Sequence, residues 1–290
     1  MKINPRKAVR KIILQALEED CGGPAPFQGK DITTAALLEK NTAAAARIFV
    51  KEPGVLAGAE VAEEVFREVD KKIQIERMAE DGEKIQPGQR ILKINGPARS
   101  ILTAERTALN FLQHLSGVAT QTARYVEALK GTKTQILDTR KTTPGLRALE
   151  KHAVACGGGA NHRMGLYDAF LIKDNHIHLM KTQGGLAEAV RRARKFNPGA
   201  KLIVEADTLE QAAELAGLNV DQILLDNMTD GQLAEAVRIV AGRAKLEASG
   251  NMTLERVPAA AAAGVDYISV GALTHHIRAL DFSLEMEDGR

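Results

Sequence analysis

KLIVEAD, residues 201–207, has the apolar run of a buried strand and ends in two carboxylates. The pattern recurs at QILLDN (222–227) and at KLEASG (245–250). Helical runs follow the first two: TLEQAAELAGL (208–218) and DGQLAEAVRIVAG (230–242). Strands alternating with helices predict right-handed βαβ units and a parallel sheet. The rhythm extends from 134 to 271 through TQILDT, AFLIKD, AKLIVEAD, DQILLDN, AKLEASG and DYISVG. Glu205, Asp226, Glu247 and Ser269 follow one another at intervals of 21, 21 and 22 residues. Earlier steps, from Arg140 to Lys173 and on to Glu205, are 33 and 32 residues. Such regular units predict a barrel more than an open doubly wound sheet, with six strands instead of the usual eight.

A barrel explains why its strands end in charge, because active sites sit at the C-terminal strand ends. Asp138 and Arg140, Lys173 and Asp174, Glu205 and Asp207, Asp226, Glu247 and Ser249, and Ser269 would converge on the mouth. Helix capping competes with this reading at Asp207, just before TLEQ. It is weaker at Asp226, where Thr229 is the better-placed cap, and does not suit Glu205, a poor capping type inside an apolar run. A buried, unpaired carboxylate costs several kcal/mol, so Glu205 should face cations, hydroxyls or a metal. Lys173 follows AFLI and is expected to be buried with anionic partners. Lone Arg, Lys or His residues are usually solvated, but DTRKTTPGLR (138–147) and GGGANHRMGLYDAFLIKDNHI (157–177) concentrate Arg140, Lys141, His162, Arg163, Lys173 and His176 beside strands. The glycines of SGN (249–251) and SVG (269–271) suit close backbone approach to a phosphate. Together these features call for a polyanionic ligand, and a phosphorylated sugar with a carboxylated second substrate fits.

Residues 1–99 have another texture, with strand-like AAARIFVK (44–51), KIQIERM (72–78) and QRILKI (89–94) separated by turn signals. They predict a small α+β domain led by an amphipathic helix in MKINPRKAVRKIILQALEED. The run 102–130 has helical spacing, with Thr103 as N-cap and a break at Gly117–Val118. The tail HHIRALDFSLEMEDGR ends in a strand-like run that returns to the first domain.

Composition excludes several classes. A net charge of +2 and three Tyr, seven Phe and no Trp argue against a nucleic-acid binder. No apolar run approaches the roughly 20 residues of a bilayer span. Cys21 and Cys156 form no CxxC pair, which argues against a disulfide scaffold or structural zinc site. The expected setting is the cytoplasm.

ERTALNFLQHLSGVATQT (105–122), DTRKTTPGLRALEKHAVACGGGANHRMGLYDAFLIKDNHI (138–177) and LEASGNMT (246–253) closely resemble the quinolinate phosphoribosyltransferase family. KDITTAALL (30–38), EPGVLAGAEVAEEVF (52–66) and INGPARSILTAERT (94–107) look like its N-terminal half. The resemblance implies an N-terminal α/β sandwich over 1–112, joined by the tail 275–290, and an incomplete six-stranded α/β barrel over 113–274. It implies conversion of quinolinate and phosphoribosyl pyrophosphate to nicotinate mononucleotide, pyrophosphate and CO₂, with Mg²⁺, in a homodimer or higher oligomer with shared sites. By motif, Arg140, Arg163 and Lys173 match residues that bind the quinolinate carboxylates, and His162 and Lys141 line the same site. Lys141 would lie near the pyrophosphate, and Arg106 would come from the neighbouring subunit. Glu205 and Asp226 match carboxylates facing the ribose and a Mg²⁺ held mainly through substrate. Ser249, Gly250 and Gly271 match phosphate-binding turns. The chain departs from the family pattern in a Pro/Gly-rich insert at 21–29. Competing readings are a nicotinate-specific sister enzyme, a Schiff-base aldolase using Lys173, and a phosphosugar-binding regulator.

Overall fold

The computed structural model describes the backbone of residues 5–287 and the side chains of residues 9–287. The chain forms two compact units, the first from residues up to 123, 142–158 and 276 onward, the second from 124–141 and 159–275. The elements run α1 (Pro5–Cys21), α2 (Ile32–Leu37), β1 (Ala43–Val50), β2 (Gly54–Val55), α3 (Ala59–Val69), β3 (Gln74–Arg77), β4 (Lys84–Ile85), β5 (Arg90–Pro97) and α4 (Ala98–Ala128). They continue as β6 (Gln135–Leu137), α5 (Arg147–Cys156), β7 (Ala169–Ile172), α6 (Asp174–Met180), α7 (Gly185–Phe196), β8 (Lys201–Ala206), α8 (Leu209–Ala216), β9 (Gln222–Asp226) and α9 (Asp230–Val240). The chain closes with β10 (Lys245–Ser249), α10 (Val257–Ala262), β11 (Tyr267–Ser269), α11 (Ala272–His275) and β12 (Phe282–Glu287).

The first unit is built on an antiparallel sheet in the order β12-β1-β5-β3. In β1, Ala46, Ile48 and Val50 are buried while Arg47 and Phe49 are not, the alternation that a pleated strand imposes. The tail strand β12 pairs along β1 from Ala45↔Glu287 to Val50↔Phe282, as its sequence predicts. The leading helix buries Ile13 and Leu17; residues 1–4 of the predicted amphipathic segment lie outside the described residues. Within the insert, Phe27 is almost wholly buried and tethers the stretch between α1 and α2.

Two expectations for 102–130 fail. Helix α4 begins five residues before Thr103, where the Ala98 N–H donates to Thr42 O at 2.8 Å. Thr103 is therefore interior, and its hydroxyl donates to Arg99 O at 2.8 Å instead of capping the helix. Gly117 does not break α4 either. Its missing side chain admits the returning tail, since a Cβ there would lie 2.5 Å from Arg278 O. Glycine costs helix stability, and here that cost permits backbone approach.

In the second unit six parallel strands take the order β6-β11-β10-β9-β8-β7. The first strand pairs with the last, so the sheet curls round, and the opening falls between β6 and β7. Near it Ala160 bridges to Leu137, donating its N–H to Ile136 O at 2.8 Å and accepting from Asp138 N at 3.1 Å. This is the incomplete six-stranded barrel that the strand count predicts. Strand β8 is buried from Leu202 to Ala206, as a strand covered on both faces should be. Thr208 and Thr229 cap α8 and α9, each in a capping box with a glutamine three residues on. Asp207 is thus not the cap. No helix among the described residues is long and apolar enough to cross a membrane.

Candidate active site

The acidic side of the barrel mouth rests on β8 and β9. Glu205 is 4% exposed, yet it is not stranded: Lys173 Nζ lies 2.8 Å from its Oε2, and Asp174 N–H donates to its Oε1 at 3.3 Å. Lys173 itself departs from expectation, because its side chain is 47% exposed. It sits one residue beyond β7, where the chain turns into α6, so its stem leaves the barrel wall while the ammonium reaches back to Glu205. Oxygens of Glu205, Asp207 and Asp226 all lie within 4.8 Å of one another. Burial, then the charge of Glu205, pushes both Asp207 and Asp226 above the usual carboxylate range. Lys173 and Lys141 act in the opposite sense on Asp226. Three crowded hard-oxygen donors fit a Mg²⁺ ion that also keeps ligands from substrate and water.

The cationic side rests on β6 and the stretch leading to β7. Asp138 at the end of β6 is fully buried, and its Oδ1 accepts from His162 N at 2.8 Å. This pins the start of the NHR segment to the barrel. The Arg163 N–H donates to His162 Nδ1 at 2.7 Å. His162 Nε2 is therefore the nitrogen bearing the proton, and it faces Glu247 Oε2 at 3.3 Å. Arg163 Nη1 donates to Ala169 O at 3.1 Å, but its Nε is buried without a hydrogen-bond partner. Burial first, then the like charge of Arg140, lowers the Arg163 pKa from its ordinary value. Two neighbouring guanidiniums with a buried, unmet donor have the charge and donors to grip a carboxylate.

Glu247 belongs deeper than its place among the strand ends suggests. It is fully buried, two residues short of the end of β10, and accepts from Gln222 Nε2. Its Oε1 and the Gln222 Oε1 have no partner. Sequence reasoning missed Gln222, although it shares a strand face with Leu224 and Asp226 by the period of two. A cavity of about 350 Å³ touches His162 and Arg163 but also the strand-start residues Gln135, Lys201 and Tyr267. It therefore reaches below the mouth, beside the gap between β6 and β7.

The two glycine turns are closely packed against their neighbours. Gly250 holds φ +89°, and a Cβ there would lie 2.2 Å from Asn227 Oδ1. At Gly271 a Cβ would lie 2.9 Å from His275 Nε2 and 3.1 Å from Lys141 Cδ. Thr274 Oγ1 donates to Lys141 O at 2.8 Å, which ties the β6 and β11 turns together. Ser249 pairs in register with Asp226, and Asn227 Nδ2 donates to Asp226 Oδ2 at 2.7 Å. The structure thus brings Lys141, Lys173, Glu205, Asp226, Ser249, Gly250 and Gly271 to one end of the barrel, and adds Asp207 and Asn227. Arg106 lies exposed on α4 in the first unit.

A family model for the C-terminal domain of quinolinate phosphoribosyl transferase matches residues 118–285, and the model for its N-terminal domain matches residues 31–116. The chain is 45% identical to the nicotinate-nucleotide pyrophosphorylase (carboxylating) of Mycobacterium leprae, covering 96% of this chain and 97% of that protein. The crystal structure of NadC from Streptococcus pyogenes superposes with a TM-score of 0.90 at 40% identity, covering 99% of this chain and 100% of the other. Human nicotinic acid phosphoribosyltransferase shares the fold alone, with a TM-score of 0.60 at 13% identity, covering 94% and 73% of the two chains. The chain belongs to the quinolinate phosphoribosyltransferase family.

Proposed function

We propose that the chain transfers the phosphoribosyl group of phosphoribosyl pyrophosphate to quinolinate and decarboxylates the product to nicotinate mononucleotide, a step of NAD biosynthesis. The observation that carries this reading is the Arg140–Arg163 pair with its buried, unmet Arg163 Nε, in the same barrel as a carboxylate trio. The arginines, with Lys173 and His162, would take the two carboxylates of the pyridine. The pyridine nitrogen attacks the anomeric carbon as the C–O bond to pyrophosphate breaks. Glu205 and Asp226 would stabilise the positive charge that develops on the sugar, and Lys141 the departing pyrophosphate. The 2-carboxylate then leaves as CO₂, its bonding electrons remaining on the ring carbon beside the cationic nitrogen, where a proton is taken up. Ser249, Gly250 and Gly271 would hold phosphate on backbone N–H groups. Glu205, Asp207 and Asp226 would sit around Mg²⁺, which when bound neutralises the pyrophosphate charge.

The active form we infer is a cytoplasmic homodimer, in which each subunit's Arg106 completes the partner's site. Its exposure on α4 and the two free cysteines suit that reading. The first test incubates the purified chain with quinolinate, phosphoribosyl pyrophosphate and Mg²⁺. Nicotinate mononucleotide, pyrophosphate and CO₂ should form in equal amounts. Turnover of nicotinate, with quinolinate inert, would reject the reading. Mixed dimers of Arg106→Ala and Arg140→Ala subunits test the shared site: activity should return in one site per dimer, and its absence would place Arg106 in its own subunit's site.

A further inference from the structure

Away from the barrel, Asp81, His152 and Cys156 converge in the first unit, with ligand atoms all within 4.8 Å of one another. His152 and Cys156 are four residues apart on α5, hence on one face of that helix. Asp81 comes from the turn before β4. Asp81 Oδ2 lies 2.9 Å and Cys156 Sγ 3.4 Å from the same atom, His152 Nε2. One proton on Nε2 bonds well to only one of the two. If Nε2 carries hydrogen, one N–H is shared between two acceptors at different bearings. If it does not, the thiol can donate to it, but two lone pairs then face each other between Nε2 and the carboxylate. A divalent cation in place of the proton satisfies all three atoms.

We propose that Asp81, His152 and Cys156 form a binding site for a thiophilic divalent metal, zinc above all. Zinc–nitrogen, zinc–oxygen and zinc–sulfur bonds of about 2.0–2.3 Å in a tetrahedron put neighbouring ligand atoms roughly 3.3–3.6 Å apart. The observed separations of 2.9 and 3.4 Å lie within about half an ångström of that. The ligand mix suits zinc, whereas Mg²⁺ prefers the all-oxygen set of the barrel mouth. Asp81 is held in place by the N–H groups of Gly58 and Ala59, at 2.9 and 3.0 Å from its two oxygens. Outer-shell donors of this kind orient a ligating carboxylate. Next to it Gly82 N–H donates to Leu56 O at 2.8 Å, so the turn is anchored before any ion arrives. His152 is 53% exposed, which leaves a path for entry and a fourth position for water or an exogenous ligand. Bound metal would tie the turn at Asp81 to the last turn of α5. Cysteine spacing argues against a structural zinc site, but it does not register a ligand arriving from 71 residues away.

The test loads the full-length, chelator-treated chain with Co²⁺ and reads the near-ultraviolet thiolate-to-cobalt absorption, then measures Zn²⁺ affinity by competition with a chromophoric chelator. Co²⁺ at the carboxylates of the barrel mouth gives no thiolate band, so the two sites are separable. We expect one thiolate-bound ion per chain. Cys156→Ser should abolish the band, and His152→Ala should weaken Zn²⁺ binding by at least ~100-fold, beyond the range for loss of an outer-shell partner. Cys21→Ser should change neither. A missing band in the parent chain, or Zn²⁺ affinity unchanged in both α5 variants, would overturn the proposal.

Discussion

In the first unit the buried hydroxyls of Thr103, Ser116 and Thr122 each find a backbone oxygen, on Arg99, Ala57 and Val118, at 2.8, 3.1 and 2.8 Å. In the barrel, Arg163 Nε, Gln222 Oε1 and Glu247 Oε1 are buried and find none. Leaving a buried polar group unmet costs about 1–3 kcal/mol. The first unit has the economy of a scaffold, and the barrel holds polar groups in reserve. On the proposed reading Arg163 Nε, an unmet donor beside Arg140, awaits an anion, whereas the two oxygens can only accept hydrogen bonds. The contrast can be broken by experiment.

Arg163→Ala should have the largest effect. Removing a guanidinium that grips a carboxylate should cost about 2–5 kcal/mol of quinolinate binding, read by calorimetry. The melting temperature should change little, because the buried unmet donor and the Nη1 bond to Ala169 O are lost together. A large drop in stability with binding intact would make Arg163 a scaffold residue and erase the contrast. Glu205→Gln should lower kcat by roughly 10²–10³, with quinolinate affinity little changed. Lost binding with normal turnover at saturation would move Glu205 to the carboxylate side of the site.

The first unit should respond in the opposite manner. Gly117→Ala places a Cβ 2.5 Å from Arg278 O and 3.1 Å from Ala279 Cα. Both are backbone atoms of the returning tail, so relief requires a shift costing about 1–3 kcal/mol. The thermal midpoint should fall while kcat at saturating substrate stays the same. An unchanged midpoint would show that the tail is loosely held.

Legibility followed the same division. Strand ends spaced 21 residues apart exposed the barrel, because a βα unit has a near-fixed length and its charges interrupt apolar runs. Glu205, Lys173 and Asp226 were visible for that reason. Gln222 was not, since one amide at a strand start looks like a boundary residue. The burial of Lys173 was overestimated because sequence gives the backbone position but not where a long stem leads. Gly117 misled as a helix break because its partner is the tail 161 residues on, at Arg278. Asp81 and His152 share no motif, and only the fold brings them together.

The smallest effect concerns a helix end. Asp31 accepts from Thr34 N at 3.1 Å and from the Thr34 hydroxyl. The Thr34 hydroxyl, with backbone donors, outweighs burial and holds the Asp31 carboxyl below the usual range. A lowered folded-state pKa gives stability that is full above the ordinary value of 3.8 and is lost as pH falls through the lower folded value. Asp31→Ala should therefore fray α2 by about 1 kcal/mol at neutral pH, seen in amide exchange at Thr34, and should have no effect once the pH is below both values. A difference that persists there would assign the cap to something other than the carboxylate charge.

The most direct measurement compares binding of pyridine-2,3-dicarboxylate and pyridine-3-carboxylate to the same protein by titration calorimetry. If Arg140 and Arg163, with Lys173 and His162, take two carboxylates, the dicarboxylate should bind tighter by about 2 kcal/mol or more, some 30-fold. Equal affinities would contradict the account, because the second carboxylate would then find no partner in the barrel.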